Sequence, residues 1–266
     1  MTPYEQEVAV AKNVARQAGT VLREHYRAHE PLQVTHKSAK DLVTETDILV
    51  EKLVMDAISR VFPGDSIAGE ETAGITGTGG RQWVIDPIDG TTNFVRRIPF
   101  FAVSIGLLVD GVPAAGVVYN PIIDELYWAA RGTGAYLNGK KLHVTAITEL
   151  PQAMVITGFA CLRDNKLPNN LANFAAIAPQ VLGVRRLGAA SLDLCAVAAG
   201  RAEAFWELYL KPWDVAAGGL IVEEAGGKVT TFAGAGNWLT APTILASNGV
   251  IHDTVRAFLQ PACPAP

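Results

Sequence analysis

Asp86 and Asp89 stand three residues apart at the end of an apolar run, in the stretch Trp83-Val84-Ile85-Asp86-Pro87-Ile88-Asp89-Gly90-Thr91-Thr92-Asn93-Phe94. Pro87 stiffens the chain between them, so both carboxylates can converge where a strand ends. Hard divalent cations such as Mg²⁺ take oxygen ligands of this kind, usually one or two carboxylates each. Gly90 lets the backbone come close to a ligand, and Thr91 and Thr92 sit where a helix would start, whose N–H groups favour an anion. Cation ligands beside an anion site suggest metal-assisted phosphate chemistry. Asp-Pro and Asp-Gly are ordinary turn pairs when isolated, so the whole run carries this reading and neither pair does alone.

Other acids have the same two-sided character. Glu70 and Glu71 follow a short strand, where paired acids are commonly just solvated. Asp214 follows Trp213 at the start of an apolar helix, and an N-cap is its plain reading. Thr44-Glu45-Thr46-Asp47 has the form of a helix capping box. The five histidines, His25, His29, His36, His143 and His252, are scattered without a metal-ligand pair and read as structural or exposed.

The run DPIDGTTNF after Val84-Ile85 closely resembles the signature of the inositol monophosphatase family of Mg²⁺-dependent, lithium-sensitive phosphatases. Gly69-Glu70-Glu71 upstream and Trp213-Asp214-Val215-Ala216-Ala217-Gly218 downstream follow in the order of that family. The resemblance runs from the first helix to about residue 250. It implies a layered αβαβα sandwich and two to three Mg²⁺ ions per site. One ion would take Glu70, Asp86 and the carbonyl of Ile88; a second would take Asp86, Asp89 and Asp214; a third would be held loosely by Glu70 and waters. Asp47 would orient the hydroxyl of Thr91 so that it helps activate water. Backbone N–H groups of Gly90 and Thr91 would hold phosphate, with Asp89, Ala190 and Asp214 around the substrate. Glu207, seven residues before Asp214, stands where family members place an acid that accepts hydrogen bonds from inositol hydroxyls. The implied reaction is in-line attack by a metal-activated water, without a phosphoenzyme and with Asp89 near the leaving group. Roles for Lys37 and Glu71 stay open.

Inositol 1-phosphate is the substrate this resemblance favours. Ala189 stands where the family usually has Ser or Thr, and Gly158-Phe159-Ala160-Cys161 lacks a serine that serves inositol binding in animal enzymes. Fructose 1,6-bisphosphate, histidinol phosphate and 3′-phosphoadenosine nucleotides therefore stay as alternatives, as does a non-catalytic regulatory binding protein. The family also implies a homodimer.

The elements that must position these residues are legible in the pattern. Val8, Ala11, Ala15, Ala18, Leu22 and Tyr26 recur at helical spacing, predicting a helix over 4–28. A second is expected over 45–61, ended by Phe62-Pro63-Gly64. Strands are expected over 66–68, 82–85, 101–109, 112–119 and 125–130, with Asp110-Gly111 as a hairpin turn. The second half predicts strands over 153–158, 202–207, 227–231 and 243–246, and helices over 171–178, 190–199, 215–225 and 250–259. The class is α+β. Gly74 to Gly80 reads as a mobile loop.

With 266 residues, 49% of them hydrophobic, the chain can bury a large core. One catalytic domain over 1–266 is expected, in two intimately packed halves of about 1–150 and 151–260 and a disordered tail, 261–266. A net charge of −4 without a basic run argues against nucleic acid, so positive charge for a phosphorylated polyol or sugar would have to come from bound metal. The acidic start lacks a signal peptide's apolar core, and no stretch reads as a membrane span. Cys161, Cys195 and Cys263 are few and lack metal-ligand spacing, which makes a reducing cytoplasm the simplest location.

Overall fold

The computed structural model describes residues 3–28, 34–38, 41–163 and 165–260. The expected tail, 261–266, lies outside the described residues. The first layer is helical. Helix α1 (Glu5–Arg27) buries Val8, Ala11, Ala15, Ala18 and Leu22 of the predicted stripe and Val14 besides, while Tyr26 is half-buried. A two-stranded hairpin, β1 (Val34–Ser38) and β2 (Asp41–Thr44), leads into α2 (Glu45–Val61). The capping box at its start is present, with the Asp47 carboxylate accepting from the Thr44 N–H at 2.8 Å.

Both helices cover one face of a seven-stranded sheet. Its strands are β3 (Ser66–Gly69), β4 (Arg81–Asp89), β5 (Ala102–Val109), β6 (Val112–Asn120), β7 (Glu125–Ala130), β8 (Gly134–Leu137) and β9 (Lys140–Lys141), arranged in chain order. Only β3 and β4 pair in parallel. Asp110 and Gly111 take positive φ of 51° and 78° in the tight turn between β5 and β6, as Asp-Gly hairpins require. Short α3 (Thr91–Val95) follows β4. Gly74–Gly80 is tied down: Ile67 and Ile75 exchange backbone hydrogen bonds of 2.8 and 2.7 Å, and the Gly77 N–H reaches the Ser66 hydroxyl at 2.9 Å.

The second half supplies β10 (Met154–Thr157), α4 (Ala160–Arg163), α5 (Leu171–Ile177), β11 (Gly183–Arg185), α6 (Ala190–Ala198), β12 (Ala204–Leu208), α7 (Pro212–Glu224), β13 (Lys228–Thr230), β14 (Thr243–Ser247) and α8 (His252–Arg256). Its five strands run in the order β11-β10-β12-β14-β13. Helices α6 and α7 lie between the two sheets in one core that joins Val118 and Ala129 to Phe205 and Ala246. A separate core under the far face of the small sheet joins Trp206 and Leu245 to Ile177 and Val255. The expected αβαβα layering results. Helix α7 sits very close to the large sheet, because a Cβ on Gly116 would fall 2.7 Å from Ala217 Cα. It also starts at Pro212, three residues earlier than predicted, since proline fits a first helical turn. Among the described residues no helix is long and apolar enough to cross a membrane.

Candidate active site

The paired acids sit at an irregularity in β4. Opposite β5, Asp86 pairs with Ser104 and Asp89 with Ala102, so β4 carries one extra residue between them. Pro87 has no N–H for the ladder, and a bulge there re-aims the chain. Asp86 is buried, and its Oδ1 accepts the Ile88 N–H at 3.0 Å. Parallel pairing of Gly69 with Ile85 brings Glu70 out beside Asp86. Asp89, also buried, reaches across to the second half, where its carboxylate accepts from the Ala190 N–H at 3.1 Å, the Ser191 N–H at 2.7 Å and the Ser191 hydroxyl at 2.5 Å.

Asp214 is the third residue of α7 and not its N-cap, which is Lys211. Its carboxylate accepts the Lys211 N–H at 2.6 Å, leaving it half-buried at the helix start. The Ser104 hydroxyl holds that start to β5 by donating to the Trp213 carbonyl at 3.1 Å. Thr91 opens α3 behind Gly90, whose φ of 96° excludes other residues without strain. The Thr91 hydroxyl lies 3.3 Å from Asp47 Oδ1 and 3.1 Å from the Ile88 carbonyl. Asp47 thus meets Thr91 without itself lining the cavity.

Glu70, Asp86, Asp89, Gly90, Thr91 and Asp214 line one cavity of about 570 Å³ together with Glu207, which comes from β12 of the smaller sheet. Ile88 and Ala190 line it too. Glu207 is buried, its Oε1 accepting the Ala160 N–H at 2.9 Å over Gly158, which has no room for a side chain. Burial is the largest cause of every acid shift here. It pushes Asp86 and Asp214 well above the usual carboxylate range, with added repulsion led by Glu70 for Asp86 and by Asp89 for Asp214. Asp89 is pushed up to about 6 against its hydrogen bonds from α6, and Glu207 to about 7.

Repelling carboxylates in one cavity form a hard-oxygen donor set that suits a divalent cation. Among the described residues no three His, Cys, Asp or Glu side chains stand placed to hold an ion between them. Mg²⁺ keeps several waters and needs only one or two protein carboxylates, so Glu70, Asp86, Asp89 and Asp214 fit it by chemistry without a closed cage. Lys37 belongs to β1, but its side chain lies outside the described residues. Glu71 gives its backbone N–H to Glu51 at 2.8 Å.

Sequence reasoning missed the positive wall. Arg163, Arg186 and Lys211 line the cavity, so the protein brings cationic side chains of its own to an anionic substrate. The pair Arg185-Arg186 just before Leu187-Gly188 was the available signal. It also missed Ser191, which grips Asp89, and Asn93, whose side-chain amide donates to Phe100 O at 2.7 Å and Leu187 O at 2.9 Å and so ties the two halves together beside the cavity.

The model of the inositol monophosphatase family matches residues 4–262. The chain belongs to this family. It is 42% identical over 261 residues to the Nus factor SuhB of Pseudomonas aeruginosa, covering 96% of each chain. Inositol monophosphatase 1 of Solanum lycopersicum is 41% identical over 262 residues, covering 96% of this chain and 95% of the relative. Among solved structures, an inositol monophosphatase from Anabaena (Nostoc) superposes with a TM-score of 0.87 at 39% identity, over 98% of this chain and 97% of that one. The layered fold is thus that of the inositol monophosphatases, a family of phosphomonoesterases that generally use Mg²⁺.

Proposed function

We propose that this inositol monophosphatase family member hydrolyses small phosphate monoesters with Mg²⁺, inositol 1-phosphate foremost, as one catalytic unit built from its two packed halves. The observation that carries this reading is the shared cavity, which brings the acid cluster at the β4 bulge together with buried Glu207 of the smaller sheet. When bound, Mg²⁺ supplies the charge that eases loss of a proton from water and stabilises the phosphate and the departing oxygen. Glu70, Asp86, the Ile88 carbonyl, Asp89 and Asp214 would hold it. The Thr91 hydroxyl, fixed beside Asp47 and the Ile88 carbonyl, points the attacking water at phosphorus. The Gly90 and Thr91 N–H groups hold the phosphate. Glu207 accepts from hydroxyls of the alcohol portion, and Ala190 packs against it. Positioning and electrostatics do the catalysis, without a nucleophilic side chain.

A second reading has a specific support. Relatives named Nus factor SuhB are as similar as those named inositol monophosphatase, at 42% against 41% identity, so a regulatory binding role fits the same fold. Phosphate release with and without Mg²⁺ separates the two. A panel of inositol 1-phosphate, fructose 1,6-bisphosphate, histidinol phosphate, 3′-phosphoadenosine 5′-phosphate and a plain aryl phosphate then ranks substrates. Turnover fastest on inositol 1-phosphate and inhibited by Li⁺ is expected. No turnover on any member would sink the enzyme reading. A homodimer in the cytoplasm completes the proposal, and sedimentation and fractionation test it.

A further inference from the structure

We infer that Glu51 is a positioning residue that fixes Glu70 for the cation, acting through the turn that follows β3. Glu51 lies on α2 one helical turn after Asp47, so both point to the same side of the helix. It is fully buried, at 0% exposure. Burying a carboxylate is unfavourable unless donors satisfy it, and both donors here come from the residues just beyond Glu70. Oε2 accepts the Glu71 N–H at 2.8 Å and Oε1 the Thr72 hydroxyl at 2.6 Å. The carboxylate also lies directly under Gly69, where a Cβ would fall 2.4 Å from it, so the strand end rests on Glu51 with no side chain between.

Glu70 is therefore bracketed. On one side Gly69 pairs with Ile85 next to Asp86; on the other Glu71 and Thr72 are pinned by Glu51. Without that second pin the turn beyond Glu70 would lose both bonds that tie it to α2, and the direction in which Glu70 leaves the sheet would be less firmly set. One helix then serves two parts of the site, Asp47 holding Thr91 and Glu51 holding the Glu70 turn. This inference rests on the reading of Glu70 as a metal-binding acid.

The test is Mg²⁺ binding by the full-length protein, followed by calorimetry and by the Mg²⁺-dependent rise in Tm, with aryl phosphate turnover in parallel. Partners that orient a metal ligand are worth roughly 10–100-fold in metal affinity, so Glu51→Ala should raise the Mg²⁺ dissociation constant at least tenfold. Glu51→Gln can still accept from the Glu71 N–H and donate to the Thr72 hydroxyl, and should stay within about threefold of wild type by the same reasoning. Thr72→Ala removes one pin from the opposite side and should shift affinity in the same direction, which keeps the test open if Glu51→Ala does not fold. Wild-type Mg²⁺ affinity in folded Glu51→Ala or in Thr72→Ala, or equal losses in Glu51→Gln and Glu51→Ala, would overturn the inference. If wild type itself neither bound Mg²⁺ nor released phosphate, the proposed function would fall and this inference with it. Binding and turnover by wild type, with the variants unchanged, would overturn the inference alone.

Discussion

Asp89→Asn probes the site where two opposing effects can be weighed. In the absence of a cation the Asp89 carboxylate is held at a pKa of about 6, against an ordinary 3.8. By linkage, keeping it ionised at pH 7 costs about 3 kcal/mol, which a neutral asparagine would not incur. The same carboxylate accepts from the Ala190 N–H, the Ser191 N–H and the Ser191 hydroxyl. An amide has one oxygen for them and sets an NH₂ against the other donor, a loss of about 1–3 kcal/mol. The two nearly cancel, so stability in EDTA should stay within about 2 kcal/mol of wild type, or roughly 4–8 °C in Tm for a chain of this size. Mg²⁺ breaks the balance: at a hundred times its dissociation constant it adds about 2.7 kcal/mol to wild type, and the variant should gain far less. Phosphate release at saturating Mg²⁺ should drop at least about a hundredfold, the scale of losing one preorganised charge contact at a reacting centre. Differential scanning fluorimetry in EDTA and in Mg²⁺, with a phosphate assay on the same samples, reads all three quantities. A variant with more than about a tenth of the wild-type rate and an undiminished Mg²⁺ shift would refute the reasoning, because the charge would then be irrelevant to cation and chemistry alike.

Glu207→Ala should lower kcat/KM for inositol 1-phosphate about ten- to a hundredfold or more, an unmade hydrogen bond to a charged group being worth roughly 1.5–3 kcal/mol, while an aryl phosphate loses much less; equal losses on both would place Glu207 with the catalytic acids. His252 is fully buried between the Thr230 and Ser247 hydroxyls, with its pKa lowered from 6.5 to about 4, chiefly by burial. The unfolded chain takes up that proton first, so this group's contribution is present at pH 7, declines below about 6.5 and levels off below about 4; between pH 7 and 5 it removes about 1–2 kcal/mol after allowance for screening. Urea unfolding of wild type and His252→Gln across that range should show the smaller acid loss in the variant, and parallel curves would count against it. Gly116→Ala presses a Cβ against the α7 backbone at 2.7 Å, an overpacking of about 1–3 kcal/mol, and should lower Tm and raise the Mg²⁺ requirement together because α7 carries Asp214. A lower Tm with an unchanged Mg²⁺ requirement would mean that Asp214 does not depend on that fit.

What could be read from the sequence was local. The two long helices, the β5–β6 hairpin and the acids around Asp86 announce themselves within a dozen residues, through apolar spacing, Asp-Gly and the Asp-Pro bulge. Hairpin β1–β2 was missed because Val34-Thr35-His36-Lys37-Ser38 has no apolar alternation, and β11 because three residues cannot show a period. Ser191 could not be found from its own neighbourhood: it meets Asp89 from 102 positions away, and only the stacking of α6 on the large sheet brings them together. Arg186 carried a legible charge but no legible destination.

The arrangement of the acids explains why each needs a support of its own. Four carboxylates share one cavity, and burial with mutual repulsion drives Asp86 and Asp214 toward protonation. A flexible site would relieve that by letting the acids turn apart. Three of them are instead held by backbone N–H groups, Asp86 and Asp214 from their own stretch of chain and Asp89 from α6 across the fold. Ile88 holds Asp86 within the bulge, the first turn of α6 holds Asp89, and the N-cap of α7 holds Asp214. Fixing them stores an unfavourable interaction that a divalent cation would relieve on binding, so affinity for the cation is drawn in part from folding stability. It follows that loosening any one of these supports should stabilise the cation-free protein relative to wild type less than it weakens cation binding, because the acid so released loses its direction as well as its repulsion.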